Sequence, residues 1–410
     1  VQPPDGNHLE ESGGDGGMKW EKVKLGDIAT FSNGINFNKT AYAKGIKLIG
    51  VSNFGDRFYP DFSQLQEVKK DIVRLEDCLR NGDIVFVRSN GNKELVGRCM
   101  LVKNPTERVT YSGFCIRARL NDTDRYDPVY FTYYFKSKAF RRAVSGTAVG
   151  ANIQNLSQAR LSNHECRIPS IEVQHRIADI LSVYDDLIEN NQKQIKLLEE
   201  AAQRLYKEWF VDLRFPGHEN TKIVDGVPEG WQIAGIADIC DTVGGGTPST
   251  KIQSYYEKGD ILWVTPTDIT RNFSLALLDT EKKITPEGLK NSSAKMLPAE
   301  TILMTSRASV GFFGMCKYEV CTNQGFISCI PKRENLQMYL LFNLKSRVEE
   351  IRQKAGGSTY LEISKTVFRE LKIILPKDEV LAEYQKNVHD IFDEIYCRTE
   401  MIKSLVDMRN

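Results

Sequence analysis

Two clusters of acidic and lysine side chains have the composition of a divalent-metal site. In the first, Asp61 precedes Glu67 and Lys69; the second consists of Asp268, Glu281, Lys282 and Lys283. Paired carboxylates and a lysine can hold Mg²⁺ and polarise a phosphate, which is the chemistry of a nuclease. Such strings also arise by chance in a chain with 27% charged residues, and a surface strand present twice would explain their recurrence. Chance is the favoured explanation, and a nuclease stays as an alternative.

The established catalytic motifs are missing from the sequence. It contains no G-x-x-x-x-G-K-[ST] loop, no G-x-S-x-G elbow and no H-E-x-x-H pair. The five histidines are dispersed, and the nine cysteines include no C-x-x-C pair, which fits reduced, buried thiols. The glycines at 244–246 could form an anion-binding nest, but a tight turn after a strand at 236–243 is favoured. We therefore predict neither a catalytic residue nor a metal ligand in this chain.

Polar loops that follow predicted strands carry side chains suited to nucleic acid. Arg88 begins one such loop after a strand at 84–87, and Arg307 lies in the corresponding place of a later stretch. Arginine can address guanine, Asn and Gln can address adenine, and Ser or Lys can contact phosphates. A polar loop is more often only solvated than involved in binding. The similar placement of the two loops in the two stretches makes a binding role more credible than it would be for one loop alone. The candidate DNA-binding residues are Arg88, Ser89, Asn90, Asn92, Lys93, Lys251, Ser254, Tyr255, Tyr256, Thr265, Asp268, Arg307, Ser309, Asn323 and Gln324.

The stretch 171–210 predicts one long helix, because apolar side chains recur at helical spacing and no Gly or Pro interrupts them. Alternating steps of four and three residues form the narrow seam of a coiled coil, which requires a partner helix. The C-terminal stretch repeats this alternation with one charged seam position, Arg398. The polar seam residue Asn191 marks either a frayed, wet layer or a register pin. The seam residues are Ile177, Leu181, Tyr184, Ile188, Asn191, Ile195, Leu198, Ala202 and Leu205 in the first helix, and Tyr384, Val388, Ile391, Ile395, Arg398, Ile402 and Leu405 in the second.

The order of recognisable residues repeats along the chain. The matched pairs, at separations of 209 to 212 residues, are Trp20 with Trp231, Gly113-Phe114 with Gly325-Phe326, Tyr130 with Tyr339, Lys136-Ser137 with Lys345-Ser346, Gln174 with Gln385 and Ile180 with Ile391. A near-constant separation indicates a tandem duplication of an α+β domain followed by a long helix. The second helix must then head back along the first, so the two seams are expected to pack antiparallel.

We therefore predict an α+β fold of two tandem-duplicated domains separated by two long helices that form an antiparallel coiled coil. The predicted segments are a disordered tail or tag at 1–17, a first domain at 18–170, a long helix at 171–213, a linker and second domain at 214–376, and a C-terminal helix at 377–410. The tail holds four acids and no Lys or Arg, so the rest of the chain carries 55 basic and 50 acidic residues. The sequence shows neither a signal peptide nor an apolar run of roughly 18 residues, which predicts a cytoplasmic protein.

The predicted helices have the scale of a DNA repeat. About 35 helical residues span roughly 50 Å, and B-DNA presents the same face about every 34–36 Å. Two similar domains on such a rod could contact one face of a duplex about one turn apart. They could equally bridge two proteins, which makes a scaffold the second alternative.

Three stretches of the second domain resemble the target recognition domains of type I restriction-modification specificity subunits. They are GGGTPSTKIQSYYEKGDILWVTPTDI (244–269), GLKNSSAKMLPAETILMTSRASVGFFGMC (288–316) and TNQGFISCIP (322–331). The stretch NGDIVFVRSNG (81–91) is a looser version of the same pattern in the first domain, which departs most from the family. The resemblance covers essentially all of 18–410, including the alternation of domain and long helix.

The resemblance implies a non-catalytic subunit that recognises an asymmetric, split target in double-stranded DNA, one half per domain. It implies two adenine-N6 methyltransferase subunits and the motor-nuclease restriction subunits as partners, in the cytoplasm of a prokaryote. This chain would carry no cofactor, whereas S-adenosylmethionine, ATP and Mg²⁺ would belong to the partner subunits.

Overall fold

The computed structural model describes residues 20–55, 57–90, 95–145, 155–357 and 361–409. The predicted tail at 1–17 and the candidate DNA-binding residues Asn92 and Lys93 lie outside these ranges. The chain divides into two compact units. Unit 1 contains residues up to Asp185 together with the last two residues, Arg409–Asn410, and unit 2 contains Asp186–Met408.

Unit 1 is built on two small sheets and a two-stranded ribbon. Its strands are β1 (Glu21–Lys24), β2 (Ala29–Asn33), β3 (Tyr42–Ile49), β4 (Gln66–Val68), β5 (Ile84–Val87), β6 (Cys99–Leu101), β7 (Val109–Tyr111), β8 (Cys115–Leu120) and β9 (Glu165–Ile168). The antiparallel four-stranded sheet has the order β2-β8-β5-β6, the three-stranded sheet has the order β4-β3-β7, and β1 pairs with β9. Its helices are α1 (Leu25–Ile28), α2 (Pro128–Lys136), α3 (Lys138–Ser145), α4 (Gln158–Ser162) and the first part of α5 (Ile171–Tyr206).

Aromatic side chains form the core between the larger sheet and α2. Phe131 and Phe135 of α2 are fully buried, and the Phe135 ring lies 5.1 Å from that of Phe86 and 4.8 Å from that of Phe140. Residues 130–144 contain no Gly or Pro, yet they do not form one continuous helix, because α2 ends at Lys136 and α3 begins two residues later. Ser137 separates them because its backbone is extended and its hydroxyl accepts a hydrogen bond from the Phe140 N–H, as a helix cap does.

Unit 2 has the same architecture. Its strands are β10 (Ile223–Val224), β11 (Val227–Pro228), β12 (Gln232–Gly235), β13 (Cys240–Val243), β14 (Ile261–Val264), β15 (Lys283–Ile284), β16 (Ile302–Thr305), β17 (Phe313–Gly314), β18 (Cys321–Thr322), β19 (Phe326–Pro331) and β20 (Lys372–Leu375). Its helices are α6 (Ile236–Ile239), α7 (Pro266–Arg271), α8 (Pro286–Lys290), α9 (Gln337–Ser346), α10 (Val348–Gln353), α11 (Lys365–Arg369) and α12 (Asp378–Arg409). The sheet orders are β13-β19-β16-β17 and β15-β14-β18, and β12 pairs with β20. Each order repeats that of unit 1, which confirms the predicted duplication.

Equivalent side chains also make equivalent contacts in the two units. The Gln174 side chain accepts a hydrogen bond from the Asp127 N–H at 3.0 Å in unit 1. In unit 2 the Gln385 side chain accepts one from the Met338 N–H at 2.9 Å. Both glutamines lie near the start of a long helix, so each ties that helix to the domain that precedes it.

The match of Gly113 with Gly325 is wrong by one residue. The Arg88 N–H donates to the Phe114 carbonyl in unit 1, and the Ser306 N–H donates to the Gly325 carbonyl in unit 2, both at 2.8 Å. Phe114 is therefore the structural counterpart of Gly325. Gly113 is required for a local reason of its own, because a Cβ at this position would lie 2.0 Å from the side-chain oxygen of Asn36.

The predicted strand at 236–243 is also corrected. Its first half, α6, is a single helical turn, and only β13 is extended. Ile236 and Ile239 are both buried, with 0% and 4% of their surfaces exposed. Their three-residue spacing brings both side chains to the core on one helical turn, whereas alternate strand positions would not.

Within unit 2, the later half of α5 and the helix α12 form an antiparallel pair. Asn191 contacts Arg398, and eleven residues further along α5 the Ala202 carbonyl accepts a hydrogen bond from Tyr384. Residue numbers on one helix thus rise as those on the other fall. The buried seam residues of unit 2 are Ile188, Asn191, Ile195, Ala202, Tyr384, Val388, Ile395, Ile402 and Leu405.

The buried face of α12 is wider than a coiled-coil seam. Of the predicted seam residues, Leu198 and Leu205 of α5 and Ile391 of α12 are only half-buried. On α12, three residues that the predicted seam omits are buried instead: Phe392, Tyr396 and Thr399. Tyr396 and Thr399 face the domain of unit 2, since the Tyr396 ring contacts that of Tyr318 and the Thr399 hydroxyl lies 3.2 Å from that of Ser274. In unit 1, the seam residues Ile177, Leu181 and Tyr184 are half-buried.

Within the described part of the chain, no helix combines the length and apolar composition needed to cross a membrane.

Candidate nucleic-acid interface

Five segments of unit 2 form one continuous edge, which we call recognition edge 2. They are 244–248, 264–268, 305–309, 322–325 and 361–365. Four backbone hydrogen bonds join them: Gly246 N–H to Thr322 O (2.9 Å), Asn323 N–H to Val264 O (3.0 Å), Ser306 N–H to Gly325 O (2.8 Å) and Ile363 N–H to Ser306 O (3.0 Å). The edge therefore brings together six candidates predicted from separate motifs: Thr265, Asp268, Arg307, Ser309, Asn323 and Gln324.

The glycines at 244–246 permit the close approach on which this edge depends. A Cβ at Gly245 would lie 2.0 Å from the Thr322 carbonyl oxygen, and one at Gly246 would lie 2.2 Å from the Ser293 hydroxyl. Such distances exclude any side chain, which explains the glycine run without an anion-binding nest. The approach also places the Thr247 hydroxyl within hydrogen-bond distance of the exposed Gln324 amide.

Several candidates build the edge rather than face outward. The Asp268 carboxylate accepts hydrogen bonds from the N–H and hydroxyl of Thr265 and from the Glu281 N–H, at 2.8, 2.6 and 2.8 Å. Asp268 thus caps α7 and anchors the following loop. Tyr256 donates its hydroxyl hydrogen to the Pro248 carbonyl at 2.6 Å. Of the neighbouring candidates, Lys251 and Ser254 are exposed and Tyr255 is half-buried.

Arg307 lies opposite Glu362 in a strand-like pairing. The Ala308 N–H donates to the Leu361 carbonyl at 2.9 Å, and the bond from Ile363 to Ser306 closes the other side of the pair. Side chains at such directly opposed positions are neighbours on one face. The Arg307 Nε lies 3.7 Å from a Glu362 carboxylate oxygen, with about half of each side chain exposed (48% and 50%).

Unit 1 contains an edge with the same backbone frame, which we call recognition edge 1. Its hydrogen bonds are Ile35 N–H to Tyr111 O (2.9 Å), Ser112 N–H to Ile49 O (3.0 Å), Arg88 N–H to Phe114 O (2.8 Å) and Leu156 N–H to Arg88 O (2.8 Å). Ser89 faces Asn155 in this frame as Arg307 faces Glu362 in the other. The two edges thus share their main-chain geometry and differ in the side chains that they present.

Comparison with known proteins adds the decisive observation. Residues 18–200 and 228–406 each match the family model described as the type I restriction modification DNA specificity domain. The chain belongs to this family. Each matched range contains one copy of the repeated sheets and the long helix that follows it.

Named relatives agree with this membership. The specificity subunit of the HindI type I restriction enzyme of Haemophilus influenzae is 25% identical, over 95% of this chain and 97% of that protein. The MjaIX specificity subunit of Methanocaldococcus jannaschii is 38% identical, but that match spans only 41% of this chain and 39% of the relative. The crystal structure of the type I restriction-modification S subunit from M. genitalium shares the fold, with a TM-score of 0.55 at 16% identity over 96% of this chain and 94% of that one.

As a type I specificity subunit, the chain is non-catalytic, and the acidic clusters have structural roles. Asp61 accepts hydrogen bonds from the N–H and hydroxyl of Ser63, and the latter bond holds the pKa of the Asp61 carboxyl below its usual value. Glu67 accepts one from the Gly45 N–H at 2.6 Å. Neither the nuclease nor the scaffold alternative is supported by these findings or by the relatives.

One described group of the specificity subunit has metal-ligand side chains: Glu300, His389 and Asp393, with ligand atoms within 4.8 Å of one another. The two carboxylates flank opposite ring nitrogens of His389, at 3.1 Å from Glu300 and 3.5 Å from Asp393. Lys317 Nζ also lies 2.6 Å from the Asp393 carboxylate. The group is therefore arranged as a polar network between α12 and its domain, in which His389 hydrogen-bonds Glu300 and Lys317 pairs with Asp393, because the imidazole nitrogens diverge rather than converge on one metal position.

The specificity domains also contain site features that the sequence did not reveal. The Arg88 guanidinium donates to the Gly113 carbonyl at 3.1 Å, so this arginine supports recognition edge 1. Glu362 was not a candidate, and neither was Lys365, whose Nζ lies 2.5 Å from the place of a Cβ on Gly244. No sequence motif includes these two residues. They lie more than 30 residues after 322–331, the last stretch that resembles the family.

Proposed function

We propose that each recognition edge contacts one half of a split, asymmetric site in double-stranded DNA. The observation that carries this proposal is the shared backbone frame with different side chains, Arg307 opposite Glu362 in one edge and Ser89 opposite Asn155 in the other. A common frame docks both domains on DNA in the same way, since contacts to phosphates fix the position of a domain on the duplex. Different side chains then select different bases, because base-edge hydrogen bonds carry sequence information.

The chain would serve as the DNA-recognition subunit of a larger assembly. It would recruit two adenine-N6 methyltransferase subunits and restriction motor-nuclease subunits, with S-adenosylmethionine, ATP and Mg²⁺ bound by those partners. Membership of the specificity family and the end-to-end match to the HindI relative support this role. We place the assembly in the prokaryotic cytoplasm, where its DNA substrate is found.

Selection from a random library of DNA duplexes tests the proposed function. The full chain, assembled with methyltransferase subunits, is expected to enrich two short conserved blocks separated by a spacer of fixed length and unconserved sequence. Binding should weaken as salt rises, because phosphate contacts release counterions. Enrichment of a single uninterrupted block, or of no sequence at all, would contradict the proposal.

A further inference from the structure

The carboxylate of Glu362 occupies an unexpected place for a DNA-binding edge. It lies beside Arg307, half-exposed, on the surface where DNA is expected. A carboxylate repels phosphates and opposes the electrostatic attraction that dominates affinity for DNA. A contribution to folding does not account for the acid either, because exposed ion pairs add little to stability.

The shared frame shows that this position does not require a charge. At the equivalent position of recognition edge 1, the neutral Asn155 faces Ser89. The backbone pairing is formed in both edges, by the bonds from Ile363 to Ser306 and from Leu156 to Arg88. The acid therefore occurs only where its cross-strand neighbour is an arginine.

The geometry leaves part of the arginine available. Glu362 lies on the Nε side of the Arg307 guanidinium. Arginine has five N–H donors, and the four on its two terminal nitrogens can still address the O6 and N7 acceptors of guanine. An arginine that already has a carboxylate beside it gains less free energy by leaving it for a phosphate. A guanine edge, in contrast, adds two hydrogen bonds while the contact with the carboxylate is kept.

We propose, building on the function above, that Glu362 is a specificity-determining residue of the second half-site. It pairs with Arg307 in the free protein and directs this guanidinium to a base edge instead of the phosphate backbone. Glu362 thereby reduces binding to unrelated DNA and increases the difference between the correct and incorrect half-sites. Its role is distinct from that of Arg307, since it acts by orientation and by repelling the backbone.

Glu362→Gln in the full chain tests this proposal, with Glu229→Gln as the control. Glu229 is an exposed acid of the linker, so its substitution changes the net charge equally. Affinities for the selected duplex and for a duplex with a scrambled second half-site are measured over a range of salt concentrations. Removing one negative charge about 6 Å from a phosphate is expected to tighten binding to the scrambled duplex about threefold. The slope of log affinity against log salt for this duplex should steepen by about one, as Arg307 gains a phosphate contact.

A second variant separates orientation of Arg307 from simple charge removal. If Glu362 acts through Arg307, adding Glu362→Gln to Arg307→Ala should leave the salt slope of the single Arg307 variant unchanged. Preference for the first half-site should persist in every variant, which also verifies folding. Equal behaviour of the Glu362 and Glu229 variants, or an equal change of slope without Arg307, would overturn the inference while leaving the proposed function intact. Absence of any preference in the unsubstituted chain would overturn both.

Discussion

At the scale of single residues, Arg307 is a candidate base contact on recognition edge 2, and about half of its side chain is exposed (48%). It is exposed, it follows β16, and its neighbour Ala308 has a left-handed backbone (φ 62°) that turns the chain at this point. Arg88, the candidate in the other unit, instead donates to the Gly113 carbonyl. The two arginines looked alike as sequence, but they do not occupy equivalent positions, since Ser89 is the counterpart of Arg307.

Replacing Arg307 with Ala is expected to weaken recognition of the second half-site by about 1–3 kcal/mol if the side chain contacts a base. Preference for the first half-site should not change, because recognition edge 1 is built separately. Binding to duplexes substituted at each position of either half-site measures both effects. An equal loss of affinity for all sequences would identify Arg307 as a phosphate contact and contradict its assignment to a base.

At the scale of elements, the two polar seam residues of the coiled coil meet in one layer. Arg398 donates to the Asn191 side-chain oxygen at 3.1 Å, and the Asn191 amide donates to the Leu187 carbonyl at 2.8 Å. Arg398 also pairs with Glu394 at 2.6 Å. Asn191 is 4% exposed and well bonded, so of the two sequence-based interpretations the frayed, wet layer is disfavoured.

This pairing predicts a non-additive response to substitution. Asn191→Leu alone should lower the free energy of unfolding by about 1–2 kcal/mol, because it removes an acceptor of the partly buried Arg398 guanidinium. The double variant with Arg398→Leu should recover this loss, since an apolar layer can replace a buried polar one. Chemical denaturation of the four proteins of the mutant cycle measures the coupling. Additive losses would show that the contact does not contribute to stability.

Elements were predicted well from the sequence where one periodic pattern of apolar residues is sufficient to define them. The 36-residue helix α5 and the seam from Ile188 to Ala202 follow from apolar spacing alone. Prediction failed where tertiary contacts add a second requirement, as for Tyr396, which is buried and whose ring contacts that of Tyr318 in the domain beside α12. The recognition edge was predictable only in part, because Glu362 reaches it through backbone pairing between segments 55 residues apart in sequence.

At the scale of the whole molecule, the paired helices are expected to act as a ruler for the target. Four residues inserted after Asp186 in α5, with four more after Lys403 in α12, would lengthen both helices by about 6 Å. These points avoid the contact between Glu199 and Leu275, which ties α5 to the domain of unit 2. The insertion is a stutter that local unwinding can absorb.

The expected result is a target with unchanged bases in each half and a spacer longer by one or two base pairs. Binding should also weaken, because each added pair rotates one half-site about the DNA axis. Four residues inserted at Gly226, in the exposed turn between β10 and β11, serve as the control and should leave the spacer unchanged. An unchanged spacer in the helix variant, or altered bases within a half-site, would contradict the ruler.

The central claim is that one chain recognises two different half-sites through two copies of one domain. The methylome of a host that expresses this chain with its methyltransferase subunits tests that claim most directly. The account predicts adenine methylation within a single asymmetric motif of two short blocks, separated by a spacer of fixed length. Methylation at one uninterrupted motif, or at two independent motifs without a fixed spacing, would contradict it.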